Sequence, residues 1–414
     1  MLGSAARGWL HVTTTDPGSA NGAKPRGRDA ARTREMVLAG SVVVTRRTLT
    51  CETPVSSIRF SAEENRMHAI VIRRHGDPDV LEPADIARPE PAAGEALVRV
   101  EAVSVNAFLD VSNRAGKVPF ARYDFPHVLG SEHAGTVVGY GGTPGPVPVG
   151  APVVVRNTVF CGHCDMCAAG SSEACRTLGI IGVTRPGAYA EYTTVPVANL
   201  RPLPPGCGPI EAAAMAVNGA LGYAQLRAAG LEATRTVLVQ GAGSSSGSMA
   251  AIVAKALGKV VLGTARGAER AARLATLPMY TAVVDSTAPD ARERLHDLTG
   301  GLGVDVVIDN LGAPPLFQLG VDVLGPRGRI VTSGAKFGGV VEVDLRTLYT
   351  RSQRLVGLRS ASEHDHDAFW KLVETAAVRP LVDSTFPLDA VADAHRHIEA
   401  GANVGRVVLT VSAV

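Results

Sequence analysis

The chain has 414 residues, 46% of them apolar, and this length suggests two domains of ordinary size or one domain interrupted by another. Lys and Arg total 41 against 39 Asp and Glu, so the net charge does not favour nucleic acid or an acidic membrane surface as a partner. No apolar run reaches the roughly 18 residues that a transmembrane helix needs.

Residues 1–66 differ in composition from the rest of the chain. Residues 1–34 are rich in Gly, Ala, Ser, Thr and Arg, and the apolar run Met36–Val44 is too short and too far from the start for an export signal. Arg46-Arg47 has no apolar stretch after it, which argues against a twin-arginine signal. We therefore predict a disordered extension or a start codon assigned too early, with residues 67–414 as the folded part.

Short strands separated by Gly/Pro turns follow from Met67 onwards. The alternation of apolar residues in Ala96–Val105 is typical of a half-buried strand. The first half therefore predicts an irregular, mostly antiparallel β domain. Its predicted strands are Met67–Arg73, Ala96–Val105, Gly135–Tyr140, Ala151–Arg156 and Tyr189–Val197.

The pattern changes at Pro209–Ala229, an Ala-rich segment that predicts a helix. Strands and helices alternate after it, as in a parallel doubly wound sheet. The predicted strands are Thr236–Gln240, Val260–Ala265, Ala282–Asp285, Val304–Asp309, Arg329–Ser333 and Arg354–Leu358. The predicted helices between them are Ser248–Leu257, Ala268–Leu274, Ala291–Leu298 and Pro315–Leu324. The tail predicts helix, helix and strand at Ala368–Ala376, Leu388–Gly401 and Arg406–Val411.

A glycine-serine loop follows the first strand of this second half. Small residues let the backbone approach a pyrophosphate, and the N-terminus of the next helix offers unpaired N–H groups to it. The match to G-x-G-x-x-G is imperfect. Because the loop stands before the first of the alternating units, a dinucleotide site is nevertheless favoured over the alternative of a mere tight turn. The loop reads Gly241-Ala242-Gly243-Ser244-Ser245-Ser246-Gly247.

The end of the second parallel strand indicates which dinucleotide is bound. An acidic residue there bonds the ribose 2′-hydroxyl of NAD, whereas a basic one suits the 2′-phosphate of NADP. Thr264 and Arg266 stand at that end, Arg270 lies one turn later, and the first acid is Glu269. We predict NADP(H), bound by Thr264, Arg266 and Arg270; the alternative is that both arginines are solvated residues at a helix start.

Four cysteines lie close together and predict a metal site. Four thiolates at such spacings can close a tetrahedral zinc shell, and with no open coordination position the zinc would be structural. Disulfides or idle thiols are the alternatives, and they are disfavoured because the chain is expected to be cytoplasmic. Cys51 and Cys207 have no partners nearby in sequence. The four predicted ligands are Cys161, Cys164, Cys167 and Cys175.

These segments together resemble the medium-chain dehydrogenase/reductase superfamily, which includes zinc alcohol dehydrogenases and NADPH:quinone reductases. The resemblance covers roughly 67–414. Its start is similar at Met67–Val71, its G-H-E-x-x-G segment at Leu129–Gly135, and its last strand at Gly405–Leu409.

The resemblance implies an α/β fold, a GroES-like β domain into which a Rossmann doubly wound parallel sheet is inserted. Residues 67–208 and 359–414 would form the GroES-like domain, with the zinc lobe at 160–176, and residues 209–358 the Rossmann domain. Family members also imply a homodimer or homotetramer.

The three positions that bind a catalytic zinc in the alcohol dehydrogenases carry other residues here. The histidine position is Ser131, the cysteine position falls at Asn106 or Ala107 before Asp110, and the third lies near Val217. We therefore expect no catalytic zinc.

Without that Lewis acid, the substrate should already be electrophilic, such as a quinone or an α,β-unsaturated carbonyl to which NADPH gives hydride. His133 alone could not make a metal site, so we expect a turn or surface role for it. Ser112 or Tyr123 could add a hydroxyl to the pocket, and Asp110 and Glu132 could equally be structural. The candidate catalytic residues that the resemblance implies are Asn106, Asp110 and Ser131.

The resemblance also implies cofactor contacts after two parallel strands, at Asn310-Leu311-Gly312 and Ser333-Gly334-Ala335. Arg406 could be a further contact or a surface arginine. The partner would be a small carbonyl, enone or quinone molecule. Three other functions stay open: a zinc-dependent alcohol dehydrogenase, a non-enzymatic NADPH-binding regulatory protein, and a specialised biosynthetic reductase.

Overall fold

The structure, a computed structural model, describes residues 65–376 and 378–412. The prediction of a disordered extension and the one for Cys51 therefore fall outside the described residues, apart from the last two positions of the 1–66 segment. Among the residues that the structure describes, no helix combines the length and the apolar character needed to cross a membrane.

The first half of the described chain is built from short strands and one short helix. These elements are β1 (Arg66–Ile72), β2 (Glu82–Ala87), β3 (Glu95–Ser104), β4 (His127–Val128), β5 (Glu132–Tyr140), β6 (Pro152–Val155), β7 (Thr158–Val159), α1 (Asp165–Ala168), β8 (Gly179–Ile180), β9 (Tyr192–Pro196) and β10 (Leu200–Pro202). A π-helical turn at Ala107–Ser112 follows β3. The prediction of a mainly antiparallel β region is confirmed by the pairing of β3 with β5 and β9.

The second half alternates helices and strands. Its elements are α2 (Pro209–Met215), α3 (Asn218–Ala229), β11 (Thr236–Val239), α4 (Ser245–Ala256), β12 (Val260–Ala265), α5 (Ala268–Ala275), β13 (Ala282–Asp285), α6 (Ala291–Leu298), β14 (Val304–Asp309), α7 (Pro314–Val323), β15 (Leu324–Thr332), α8 (Leu345–Thr350) and β16 (Arg354–Gly357). The tail adds α9 (Glu363–Ala376), β17 (Val382–Pro387), α10 (Val391–Glu399) and β18 (Arg406–Thr410).

Two sheets organise these elements. Strands β11 to β16 form one parallel sheet in the order β13-β12-β11-β14-β15-β16, which confirms the predicted doubly wound α/β architecture. The end of the chain returns to the first half, because β18 pairs antiparallel with β3 and parallel with β17. That larger sheet has the order β10-β6-β5-β3-β18-β17, with β9 attached to β3.

The parallel sheet is apolar on both faces, as a sheet covered by helices must be. Val237 and Val239 of β11 pack in the cluster that contains Met249 of α4. Leu238, between them, belongs to the opposite cluster with Leu295 of α6. This alternation follows from the period of two along a strand, which sends successive side chains to opposite faces.

The single helix predicted at Pro209–Ala229 is wrong, since the chain forms two helices with a break at Ala216–Val217. Helix α2 lies against β3 and β5 of the first sheet, whereas α3 lies against α4 and α9. The break therefore serves two packing surfaces at different orientations. Alanine favours a helix at every position, so an Ala-rich sequence does not indicate where one helix ends and the next begins.

Strand β17 was not predicted, and several boundaries lie earlier than expected. Helix α4 begins at Ser245 rather than Ser248, and α9 begins at Glu363 rather than Ala368. Strand β17 is half exposed along its whole length and ends in a proline, which suits an edge position and gives a weak pattern.

Candidate functional site

The four clustered cysteines form a compact set of sulfur ligands. Their Sγ atoms all lie within 4.8 Å of one another, and no other group of three or more metal-ligating side chains of this kind occurs in the described part of the chain. Four thiolates fill a tetrahedral shell, so this donor set fits one structural zinc ion. Cys207 lies elsewhere, in the apolar cluster around α2, as expected for a bystander.

The zinc lobe is held to the rest of the protein by polar contacts. Asp165 and Arg176 form a salt bridge within the lobe, and the Ser172 Oγ accepts the backbone N–H of Glu363 at 2.9 Å. Arg156 also contacts Glu363, at 3.1 Å. A zinc ion bound by the four thiolates would supply much of the folding free energy of this lobe.

The glycine-serine loop lies between β11 and α4, at the carboxyl edge of the parallel sheet. The Ser244 Oγ caps α4 by accepting the Gly247 N–H at 3.1 Å. A Cβ at Gly247 would lie 2.4 Å from the Gly241 carbonyl oxygen, so this position needs glycine. Ser244, Ser245 and Ser246 are partly exposed, and a helix N-terminus at this edge suits an anionic pyrophosphate.

Several predicted cofactor residues already have protein partners. The Ser245 Oγ donates to the Gly405 carbonyl oxygen at 2.8 Å, and the Gly405 N–H donates to the Gly243 carbonyl oxygen. Arg270 donates to the carbonyl oxygens of Gly401 and Asn403, both at 3.2 Å. The loop that precedes β18 is therefore fastened to the dinucleotide loop and to α5.

Of the two candidate side chains at the end of β12, one is buried and the other is exposed. Thr264 is fully buried, and its Oγ1 accepts the Gly241 N–H at 3.3 Å, so it supports the loop from inside. Arg266 is exposed directly after the strand. The carboxylate of Asp285, at the end of the neighbouring β13, accepts the Gly267 N–H at 2.8 Å.

Two further predicted contacts meet at the carboxyl ends of β14 and β15. Asn310 and Ser333 are partly exposed, and both accept hydrogen bonds from Gln225 of α3, at 2.6 and 3.0 Å. A Cβ at Gly334 would lie 2.9 Å from the Asn310 carbonyl oxygen, so the two segments are closely packed. Gln225 was not predicted as a site residue, although a glutamine among the alanines of α3 could have indicated a polar contact.

Asn106 and Asp110 organise the π-helical turn that follows β3. The Asn106 Oδ1 accepts the backbone N–H groups of Phe108 and Leu109, both at 2.9 Å, and its Nδ2 donates to Glu132 at 2.6 Å. Asp110 is fully buried and accepts the backbone N–H groups of three residues, at 2.8 to 3.2 Å. Those residues are Asn106, Gly130 and Ser131.

The carboxyl of Asp110 combines opposing influences. Burial, with a smaller contribution from the nearby Glu132, raises the pKa of Asp110 to about 7, while its three backbone hydrogen bonds act in the opposite direction. Its contacts are all with backbone, so they fix the turn against the segment that carries Ser131. This arrangement supports the structural alternative for Asp110.

Ser131 has a different environment from the other candidate hydroxyls. Its Oγ is buried and has no hydrogen-bond partner within residues 65–376 and 378–412. The Ser112 Oγ donates to the Ala107 carbonyl oxygen at 3.1 Å, and the Tyr123 hydroxyl donates to Asn113 at 3.0 Å. Of these three hydroxyls, that of Ser131 is therefore the one without a protein partner among the described residues.

Two expectations near this site are wrong. His133 is fully buried in β5 opposite Val103 and Val155, not at a turn or on the surface, and neither ring nitrogen has a partner among the described residues. Burial lowers the pKa of His133 to about 3. Arg406 is also buried and pairs with Glu132, so the alternative of a surface arginine fails.

The residues at the three positions of a catalytic zinc site do not fit that metal. Asn106 uses its oxygen to cap the turn, Ser131 offers only a neutral hydroxyl, and Val217 lies at the break between α2 and α3 with an apolar side chain. These three residues therefore offer fewer suitable metal ligands than the four cysteines of the zinc lobe.

Comparison with known proteins shows the family. The model of the alcohol dehydrogenase GroES-like domain matches residues 92–205, and that of the zinc-binding dehydrogenase matches residues 280–409. A crystal structure of an NAD-dependent alcohol dehydrogenase superposes with a TM-score of 0.77 at 34% identity, over 84% of this chain and all of that one.

Curated relatives agree with this match. An NAD-dependent alcohol dehydrogenase of Sulfolobus acidocaldarius is 28% identical, over 84% of this chain and 100% of its own length. An L-threonine 3-dehydrogenase of Pyrococcus furiosus is 31% identical, over 63% of this chain and 74% of its own. The chain belongs to the medium-chain dehydrogenase/reductase superfamily and is an oxidoreductase that acts on small molecules.

Proposed function

We propose that this protein is a nicotinamide-dependent dehydrogenase that interconverts an alcohol and a carbonyl compound. The observation that carries the proposal is the likeness to alcohol dehydrogenases, because it spans both the β domain and the dinucleotide fold. The expected quinone or enone reduction finds no support among these relatives, and the alcohol dehydrogenase alternative is the better interpretation.

A bound nicotinamide cofactor would accept hydride from the alcohol carbon, or return it to the carbonyl carbon, while the hydroxyl proton would be exchanged with solvent. The protein must hold the two carbons in contact and provide hydrogen bonds to the substrate oxygen. The buried Ser131 hydroxyl is the group best suited to donate such a bond. Asn106, Ser131 and Val217 do not form a ligand set for a second metal ion.

We further propose NADP(H) as the preferred cofactor. Arg266 is exposed at the end of β12, where NADP-binding sheets carry a basic residue, and the nearest acid of the neighbouring strand, Asp285, is already bonded to the Gly267 backbone. Arg270 could assist only by giving up its bonds to the 401–405 loop. A homodimer or homotetramer and a cytoplasmic location stay predictions.

The test is a substrate panel with the full chain, in which nicotinamide absorbance is followed. Primary, secondary and polyhydroxy alcohols are offered with each oxidised cofactor, and aldehydes, ketones, quinones and enones with each reduced one. We expect turnover with alcohol and carbonyl pairs, and Ser131→Ala should lower kcat by roughly a hundredfold.

Ser112→Ala is the matched control, since that hydroxyl bonds only within its own turn and its loss should leave kcat unchanged. Turnover confined to quinones and enones would restore the original expectation. No turnover in the presence of tight cofactor binding would favour the non-enzymatic alternative.

A further inference from the structure

Gln225 links two neighbouring strands of the parallel sheet at their carboxyl ends. It lies on α3 and is 1% exposed. Its Nε2 donates to the Asn310 Oδ1, directly after β14, and to the Ser333 Oγ, directly after β15. One buried amide group therefore fixes the positions of two partly exposed side chains that lie where doubly wound sheets bind their ligands.

This glutamine is out of place as a packing residue. Apart from Asn218, the other buried residues of α3 are small or apolar, among them Ala220, Ala224 and Ala229, and the helix is so close to α4 that a Cβ at Gly222 would lie 3.0 Å from the Ala250 Cα. The Gln225 Oε1 has no hydrogen-bond partner in the described chain. Burying an amide with one end unbonded is unfavourable, so packing alone does not account for the side chain.

We propose that Gln225 is a positioning residue for the nicotinamide half of the cofactor. It accomplishes this by holding Asn310 and Ser333 as hydrogen-bond donors. Because the Asn310 Oδ1 accepts from Gln225, the Asn310 Nδ2 is directed away from Gln225 and can donate. Because the Ser333 Oγ also accepts from Gln225, its proton is left to donate. Two such donors suit the carboxamide oxygen of nicotinamide, which can accept two hydrogen bonds. This inference rests on the proposed nicotinamide-dependent function.

The test separates the two halves of the cofactor by direct binding rather than activity. Gln225→Leu and Gln225→Met are titrated with NADPH and NADH, followed by nicotinamide fluorescence, and with ADP-ribose, which lacks the nicotinamide, followed by calorimetry. We expect the Kd of the better reduced cofactor to rise roughly tenfold, the effect of losing one or two ordinary hydrogen bonds, and the Kd of ADP-ribose to stay unchanged.

Gln353→Leu is the matched control. Gln353 is also a buried glutamine whose Nε2 donates at β15, but to the Leu324 carbonyl oxygen at the opposite end of that strand. Its variant should lower the thermal unfolding temperature and leave both Kd values as in the wild type. A purely structural role for Gln225 would produce this same behaviour.

A double-mutant cycle supplies a second measurement. Ser333→Ala should weaken reduced-cofactor binding in the wild type and have little further effect in Gln225→Met, because the two residues act together. Additive effects, an unchanged Kd for the reduced cofactor, or an equal loss of ADP-ribose binding would each overturn the proposal. If Gln225→Leu fails to fold, Gln225→Met and the cycle decide. A wild type that binds ADP-ribose but neither NADH nor NADPH would instead refute the proposed function.

Discussion

Glu132 and Arg406 form an ion pair that is shielded from solvent on both sides. The Glu132 Oε2 lies 2.5 Å from the Arg406 Nη2, with side-chain exposures of 0% and 1%. The Arg406 Nε also donates to Ser104, and Asn106 donates to the other oxygen of Glu132. The pair therefore ties the C-terminal strand β18 to the start of β5, next to Ser131.

Breaking this pair should be strongly destabilising. Arg406→Met leaves the buried Glu132 carboxylate without its counter-charge, and Glu132→Gln does the same to the buried Arg406 guanidinium. We therefore expect the free energy of unfolding to fall by roughly 3–5 kcal/mol in either variant. Urea unfolding followed by circular dichroism measures it. The variant with both changes should lose less than the sum of the two.

The control is an ion pair in the open. Arg396 pairs with Asp393 at 2.8 Å and also with Asp79, and the three side chains are 47%, 66% and 83% exposed, so Arg396→Gln should cost only about 0–1 kcal/mol. If Arg406→Met costs no more than this control, the buried pair does not stabilise the junction of β18 with β5.

Metal analysis should find one zinc ion per chain, bound by the cysteine lobe. Cys175→Ser removes one of four ligands and should release the ion, whereas Cys207→Ser, at a buried cysteine outside the lobe, should retain it. A chelator should speed hydrogen exchange in residues 161–176 and leave the parallel sheet protected. Two zinc ions per chain would support a catalytic zinc and require ligands that we have not assigned.

Local signals accounted for the parts of the fold that were predicted well. Strands β12, β13 and β14 begin and end where the sequence pattern placed them, because each is a short apolar run bounded by turn residues. The cysteine cluster was also visible in the sequence, since Cys161, Cys164, Cys167 and Cys175 lie close together along one segment, and the structure brings their Sγ atoms within 4.8 Å of one another.

Features that depend on distant segments were not predicted. The break between α2 and α3 results from the packing of the two helices against different elements, and the alanine-rich sequence does not indicate those elements. The burial of His133 and Arg406 depends on strands that are remote in sequence. Gln225 could be read only as a polar residue in an apolar helix, because its partners Asn310 and Ser333 meet it through the fold.

Cofactor preference should depend on Arg266. Arg266→Asp places a carboxylate at the end of β12, which would repel a 2′-phosphate and could accept the 2′-hydroxyl of NAD. We expect the ratio of kcat/KM for NADP(H) over NAD(H) to fall by at least about tenfold, a difference of about 1.4 kcal/mol. Arg122→Asp, an arginine bonded to nearby carbonyl oxygens in the β domain, should leave the ratio unchanged. An unaltered ratio in Arg266→Asp would count against NADP(H) binding at this residue.

Stability should fall in mild acid because three histidines are buried in the neutral form. Burial lowers the pKa of His133, His366 and His395 to about 3, so between that value and the usual 6.5 the unfolded chain binds protons that the folded chain excludes. Each histidine therefore lowers the free energy of unfolding as the pH falls below 6.5. Asp110, whose pKa is raised to about 7, acts in the opposite direction over the range from 7 down to 3.8.

His133→Leu isolates one of these contributions. The leucine loses no protein hydrogen bond, because neither ring nitrogen of His133 has a partner in the described residues, so stability near neutral pH should be kept or increased. At about pH 5.5 the variant should exceed the wild type by a further 1.4 kcal/mol or so, the cost of excluding one proton at one unit below the unfolded pKa. Urea midpoints at the two pH values measure the difference, with His364→Leu, at an exposed histidine on α9, as the control. An equal acid response in His133→Leu and the wild type would mean that His133 takes up a proton in the folded protein and that its burial is less complete than the contacts of β5 imply.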